Sequence, residues 1–251
     1  MNVARILGID VACVDLRELL TQVNKWVSET PTERGNVRTI SYVNAHCLNV
    51  AAENPIYFSH LRSFDLIYPD GIGAVWAGHW LSGKTFHKIT GADWIFEFCC
   101  LAEAMGWRVY ILGGKAGVAQ TAGINLQHQF PALHILGTHD GYFPMSESPK
   151  IVSEIVSLKP DILFVGLGVP LQEAWIDQWK IELPVKICWA VGALFDYVAG
   201  VEPRAPSWMR HYALEWFWRM IVDPGGKWKR YLLGNPLFLA RVIGQKFGFR
   251  L

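Results

Sequence analysis

A carboxylate at the end of a buried strand is well placed to take up a proton, and this chain has one in Tyr68-Pro69-Asp70-Gly71-Ile72-Gly73. The apolar run Leu66 to Tyr68 reads as a strand, and Pro69, which has no N–H for a ladder, marks its end. Two glycines flank Ile72, and the apolar stretch Ala74 to Leu81 reads as a helix. The plain reading makes Asp70 the N-cap of that helix, where open N–H groups and the helix dipole favour an anion. That position lowers a carboxyl pKa, keeping the group ionised but weakening it as a base. The chemical reading makes Asp70 a general base fixed by the backbone.

Two glycine-rich turns, Gly113-Gly114-Lys115 and Gly166-Leu167-Gly168, follow apolar runs and open helical stretches. Glycine lets a phosphate approach the backbone, and a helix N-terminus supplies N–H donors. Neither turn is a Walker A loop, and Leu171 stands where the third glycine of G-x-G-x-x-G would fall, which weighs against a nicotinamide enzyme. The chain has no D-x-D, H-E-x-x-H or H-x-x-E-H. Carboxylates so placed usually hold a divalent cation against a diphosphate, so no metal is expected. A diphosphate leaving group then needs another countercharge. Residues 204–251 offer it: Arg204, Arg210, Arg219, Lys227, Lys229, Arg230, Arg241, Lys246 and Arg250 stand against only Glu215 and Asp223.

Strands alternating with helices must position these groups. Ile6 to Val14 reads as a short strand or hairpin arm, Leu16 to Val27 as a helix, and Ser28 to Asn36 as a polar loop with Pro31 and Gly35. Strands follow at Val37–Val43, Leu66–Tyr68, Arg108–Leu112, His134–Gly137, Asp161–Val165 and Lys186–Val191. Helices fill the intervals: Ala45 to Ala52, one with Pro55 in its first turn, Trp94 to Met105, a stretch ending near Gln129, Ile151 to Leu158, and one from Gln172. The strands are continuous apolar runs, which argues for an α/β fold, a mostly parallel sheet with helices on both faces. Asn44, Asp70, Gly113–Lys115, Gly166–Gln172 and Gly192–Asp196 all fall at carboxyl ends of strands, the edge where such sheets bind ligands.

The sequence of 251 residues suits one large domain over residues 1–200 with an appendage over 201–251. Ser207 to Val222 reads as one helix, broken by Pro224-Gly225-Gly226, with helical pieces at Lys227–Leu233 and Pro236–Phe247. Trp208, Tyr212, Trp216 and Arg219 recur at about one helical turn. Such a face either packs on the core or lies at a bilayer interface. The five cysteines form no C-x-x-C pair and read as reduced, mostly buried thiols of a cytosolic protein. No secretory leader is expected, and the longest apolar runs, interrupted by His79 and Asp196, fall short of a membrane span.

From the residues alone three readings stand: a transferase acting on a nucleotide-linked sugar, a Rossmann-like oxidoreductase, and a non-catalytic module binding membrane or nucleic acid. An ordered set of short motifs separates them. Asn44-Ala45-His46, Pro69-Asp70-Gly71-Ile72-Gly73, Thr90-Gly91-Ala92-Asp93, Leu112-Gly113-Gly114-Lys115, Gly137-Thr138-His139-Asp140-Gly141-Tyr142-Phe143, Val165-Gly166-Leu167-Gly168-x-Pro170-x-Gln172-Glu173-x-Trp175, Val191-Gly192-x-x-Phe195-Asp196, Arg204-Ala205-Pro206, Leu214-Glu215-Trp216 and Arg230-Tyr231 run in order through the chain. Together they resemble the WecG/TagA/CpsF family of bacterial glycosyltransferases.

The resemblance implies a Rossmann-like, inverting, metal-independent enzyme with no cofactor. It would move N-acetylmannosamine or a related sugar from a UDP-sugar donor to a sugar on a polyprenyl diphosphate, in cell-surface polysaccharide or teichoic acid synthesis. By the same resemblance Asp70 is the general base, and Asn44, Lys88, Asp93, Gln172 and Arg204 belong to the substrate site. Arg219 and Lys229 are the basic positions for the diphosphate. Gly113, Gly114, Lys115, Gly168 and Asp196 lie on the nucleotide side. The basic, aromatic appendage is expected to close the site and rest on an anionic membrane at the inner face of the cell membrane; nucleic acid is not an expected partner. The chain departs from the family pattern at Tyr42, where Thr is usual, at Lys88, where Arg is expected, and at Gly225 and Gly226, where an Arg often follows Pro224.

Overall fold

The computed structural model describes residues 2–29, 37–212, 214–223, 225 and 228–249. Residues 30–36 of the expected loop, Pro224 and Gly226 of the expected helix break, and Lys227 at the start of the next helical piece lie outside them.

The chain opens with a hairpin, whose second arm falls within the stretch Ile6 to Val14 expected as a short strand or hairpin arm. β1 (Val3–Ile6) pairs antiparallel with β2 (Ile9–Ala12). Leu7 and Gly8 both take positive φ, the conformation a two-residue hairpin turn requires. α1 (Leu16–Ser28) starts at a capping box: the Asp15 carboxylate accepts from Glu18 N, and the Glu18 carboxylate accepts from Asp15 N.

Six apolar runs then build one parallel sheet. β3 (Arg38–Val43), β4 (Leu66–Pro69), β5 (Arg108–Gly113), β6 (His134–His139), β7 (Ile162–Gly166) and β8 (Ile187–Ala190) lie in the order β4-β3-β8-β7-β5-β6. Every pairing in that sheet is parallel. The crossovers are α2 (Ala45–Glu53), α3 (Pro55–Arg62), α4 (Ile72–Ser82), α5 (Gly91–Met105), α6 (Val118–Gln129), α7 (Ser148–Leu158) and α8 (Leu171–Trp179). Both faces of the sheet are covered, as the unbroken apolar strands require. β3 leads outward to β4, whereas β8 is reached from the other side. The carboxyl ends of β3 and β8 therefore flank a crevice where the winding changes direction, the usual ligand position in such sheets.

Aromatic packing fixes β4 beneath that crevice. The indoles of Trp94 and Trp189 stack with centroids 4.2 Å apart, and both direct Nε1–H at Tyr68 Oη, at 3.2 and 3.4 Å. Tyr68 and both indoles are fully buried. The backbone N–H of Asp70 donates to Val43 O at 2.8 Å, holding the strand end against β3.

Beyond β8 come α9 (Leu194–Val198), α10 (Ser207–His211), α11 (Glu215–Val222), one π-helical turn (Lys229–Leu233) and α12 (Gly234–Phe247). The single helix expected over 207–222 is two: Tyr212 ends α10, and Leu214 precedes α11. The break removes the continuous aromatic and basic face, for Trp208 and Tyr212 are exposed whereas Arg219 turns inward to a cavity. The segment after residue 200 also joins the main core. Phe238 and Val242 of α12 are buried among Leu48, Ala74 and Ala77. Gly234 O accepts from Asn49 Nδ2 at 2.7 Å, and Arg241 reaches Asn49 and Glu53.

Candidate active site

Two adjoining cavities open at the carboxyl edge, of about 300 and 250 Å³. Asp70 lines both, as do Asn44, His46, Arg219 and Arg230. The first cavity extends over Gly168, Gly192, Tyr197 and Arg204. The second extends past Lys88 to an apolar end made by Ile72, Phe238 and Leu239.

Asp70 does not cap α4. The N-cap is Gly71, at φ 92°, and it makes no side-chain capping bond. The carboxylate is therefore free of its helix and faces Asn44, whose Nδ2 lies 3.5 Å from Asp70 Oδ2. The lowered pKa expected of a cap does not apply either. Burial pushes the Asp70 pKa above the ordinary aspartate value, and Glu215 adds to the rise; Arg219, the Asn44 amide and Arg230 oppose it. The result is a stronger base than an exposed aspartate.

Asn44 is the N-cap of α2, with Oδ1 accepting from His46 N at 3.0 Å and Cys47 N at 3.1 Å. His46, one turn into the cavities, has its pKa lowered to about 4 by burial and then by Arg230, so its imidazole is neutral near pH 7. The Arg219 guanidinium lies 5.4 Å from the Tyr197 ring centre, a cation–π contact that fixes it at the cavity wall. Lys88 Nζ pairs with Glu215 Oε2 at 2.9 Å, tying the loop before α5 to α11. Arg204 borders the first cavity because Ala92 O and Asp93 Oδ1 hold its guanidinium, at 3.0 and 2.5 Å.

The remaining expected site residues lie elsewhere. Asp93 lines neither cavity; it takes the Thr90 hydroxyl and Arg204, and so acts through Arg204. Gln172 is fully buried. Its Oε1 accepts from Gly192 N at 2.9 Å and its Nε2 donates to Glu173 at 2.8 Å, so it braces the cavity floor from below. Gly113 and Gly114 are buried by backbone: Gly114 N donates to Gly166 O, and Gly114 O accepts from Gly141 N. A side chain at Gly113 would overlap Gly166, so close strand packing explains the glycine there. Lys115 beside them is exposed. Gly168, at φ 78°, has open space where a Cβ would point and does face the first cavity. Asp196 lines neither cavity, whereas its neighbour Tyr197 lines the first.

Lys229 is exposed, with Nζ 5.7 Å from the Trp228 ring centre. Arg230, one residue on, is the cation that borders both cavities. Its Nε is buried with no hydrogen-bond partner among the described residues. The π-helical turn that carries it shifts the side-chain register by a residue, which helical periodicity in the sequence does not reveal. His46 and Glu215 lie in the motifs Asn44-Ala45-His46 and Leu214-Glu215-Trp216 but were not assigned to the site, since only the fold brings them to the same cavities.

Among the described residues no three His, Cys, Asp or Glu side chains gather as a metal site. Nor, among them, is any helix long and apolar enough to cross a membrane. The cavities thus combine one elevated carboxylate, a neutral imidazole, the three guanidiniums of Arg204, Arg219 and Arg230, and an apolar end.

Comparison with known proteins places this arrangement. A Bacillus subtilis (strain 168) protein named N-acetylglucosaminyldiphosphoundecaprenol N-acetyl-beta-D-mannosaminyltransferase is 33% identical over 207 residues, 82% of this chain and 79% of that protein. A Staphylococcus aureus (strain MRSA252) protein of the same name is 29% identical over 243 residues, 96% of this chain and 92% of that protein. The pattern of the glycosyl transferase WecG/TagA/CpsF family matches residues 4–251, Asp70 and both cavities included, and the chain is a glycosyltransferase of that family.

Proposed function

We propose that this enzyme moves N-acetylmannosamine or a related sugar from a UDP-sugar to a sugar carried on a polyprenyl diphosphate, with inversion and without a metal ion. The observation that carries the reading is the place of Asp70 on the wall common to two cavities of different character. A base there can reach a hydroxyl arriving from one side while a leaving group departs on the other.

In this reading the first cavity takes the donor, with backbone approach at Gly168 and charge from Arg204 and Arg219. The second takes the acceptor, whose lipid suits the apolar end at Ile72, Phe238 and Leu239. The Asp70 carboxylate accepts the proton of the acceptor hydroxyl. That oxygen bonds to the anomeric carbon as the bond to the UDP oxygen breaks on the opposite face. UDP leaves with the electron pair, and Arg219 and Arg230 offset the growing negative charge in place of a metal. Residues 201–251 complete the site formed by residues 1–200 and hold the enzyme as a peripheral protein on the anionic inner face of the membrane. The names of the two relatives, which specify a mannosaminyltransferase and a diphosphoundecaprenol, support both substrates.

The test is UDP release from UDP-N-acetylmannosamine with an N-acetylglucosaminyl diphospholipid acceptor, in excess EDTA, with the linkage of the product read by NMR. A β-linked product formed at an undiminished rate is expected. An α-linkage would overturn the inverting assignment, and loss of turnover restored by Mg²⁺ or Mn²⁺ would overturn the metal-free one.

A further inference from the structure

The apolar end of the second cavity does not stop at its mouth. Ile72 and Leu239 both face the cavity, one at the start of α4 and the other on α12. At successive helical turns beyond them come Trp76 and Trp80 on α4, and Ile243 and Phe247 on α12. Ile72, Trp76, Leu239, Ile243 and Phe247 are exposed, and Trp80 is half-buried.

Contacts at both ends hold these stripes side by side. Near the cavity the Phe238 ring of α12 lies against Gly73 of α4, so close that a Cβ there would sit 3.5 Å from it. Farther along, the Trp76 and Trp80 rings stack at 5.1 Å, and Trp80 meets Phe247 edge-on at 6.5 Å. Lys246 Nζ donates to Trp80 O at 2.9 Å and fastens the far end. The result is one apolar strip, two side chains wide and about 12 Å long at 1.5 Å per helical residue. Single exposed apolar residues need no explanation, but a continuous strip leading out of a site marks a ligand path.

Position and charge define the occupant. Neither α4 nor α12 contains an Asp or Glu, Arg241 turns away to Asn49 and Glu53 of α2, and Lys246 is held at the far end by Trp80 O, whereas Arg219 and Arg230 stand in the cavity. A molecule with an anionic head in the cavity and a hydrocarbon chain running out of it fits that division. We propose that the strip between α4 and α12 receives the first isoprene units of the acceptor's prenyl chain as it leaves the second cavity. The inference rests on the acceptor class proposed above.

Trp76→Glu and Ile243→Glu, both at exposed positions outside the cavities, test it. Transfer is measured in detergent micelles with two acceptors that share one sugar diphosphate, one carrying a long prenyl chain and one a short alkyl group. The wild type should prefer the long chain, and each variant should reduce that preference, read as the ratio of KM values, by roughly tenfold. An unchanged ratio, or an equal rise in both KM values, would overturn the proposal. So would variants that fail only with vesicles, since the strip would then be a bilayer contact. Independently of turnover, a prenyl diphosphate with a photoreactive group in its chain should label peptides covering 72–80 and 239–247 of the wild type; labelling confined to other peptides overturns the path. Absent UDP release with intact labelling there would count against the proposed reaction and leave the path standing.

Discussion

Asn44 turns its two side-chain atoms in opposite directions: Oδ1 closes the first turn of α2, and Nδ2 faces Asp70 Oδ2 at 3.5 Å. One residue thus ties the end of β3 to the end of β4 and presents a donor to the half-buried carboxylate. Asn44→Asp should keep the cap, because Asp serves there as well as Asn. It replaces the donor with a second carboxylate, which opposes ionisation of Asp70. The acid limb of the pH–rate profile should therefore move upward by about one unit or more. An unmoved limb in a variant of normal melting temperature would show that Asn44 does not act on Asp70.

Asp70→Asn should lower turnover by roughly 10²–10⁴-fold, the range for loss of a general base. Gly71, not Asp70, is the N-cap, so no helix bond is lost. The raised pKa also fixes the sign of the stability effect. A carboxyl that is harder to ionise in the fold contributes stability while protonated, and this is lost as pH rises through its folded pKa. The amide removes that cost, so the variant should melt as high as the wild type at pH 8 or higher. Melting well below the wild type would reveal a structural role; near-normal turnover would remove Asp70 as the base.

A second buried carboxyl lies under the site. Glu173 is fully buried, with Oε1 accepting from Ser41 Oγ at 3.0 Å and Gln172 Nε2 at 2.8 Å. Oε2 has no partner among the described residues. Burial raises its pKa to about 7, against the partial opposition of those hydrogen bonds. Its contribution to stability is complete below the unfolded value of 4.5 and is lost as pH rises through about 7. Glu173→Gln keeps an oxygen for both donors and cannot ionise. The two proteins should melt nearly together at pH 5, and the variant several degrees higher at pH 8, for a difference of order 3 kcal/mol. Calorimetry at the two pH values decides it; equal melting at pH 8 would mean that Glu173 ionises at no cost.

The sheet was legible in the sequence because short apolar runs without alternation, set between helical stretches, read as strands of a covered parallel sheet; all six lie where the pattern places them, five largely buried and the edge strand β6 only half-buried. Asp70 and Asn44 were legible because a site residue at a strand end keeps its position whatever the helices do. Gln172 and Asp93, expected at the substrate, line neither cavity. Each reaches the cavities through one intermediary, Gly192 or Arg204, and spacing along a chain does not tell a wall from its brace. The C-terminal segment was the least legible. Its helix breaks at Tyr212, its π-turn shifts the register, and Phe238 and Val242 join the core of the main sheet.

That register shift separates two neighbouring cations. The family resemblance selects Lys229 for the diphosphate, while the fold directs Lys229 to solvent over Trp228 and Arg230 to both cavities. The Arg230 guanidinium lies 5.6 Å from the Tyr231 ring centre, and its Nε is buried without a partner among the described residues, so it is held in place with hydrogen-bonding capacity unused. A guanidinium so placed can meet a diphosphate oxygen, and a charge-assisted bond of that kind contributes roughly 1.5–3 kcal/mol. Arg230→Ala should therefore lower kcat/KM by about 10- to 100-fold. Arg230→Lys should recover only part of the loss, because an ammonium cannot reproduce the planar fork. Lys229→Ala should change kcat/KM by no more than about twofold in micelles, the effect of an exposed charge. Steady-state kinetics on the three variants, with melting temperatures to confirm folding, provides the check. A large loss from Lys229→Ala alongside a mild one from Arg230→Ala would mean that the π-turn rewinds when substrate binds, and that family position rather than this geometry identifies the diphosphate ligand.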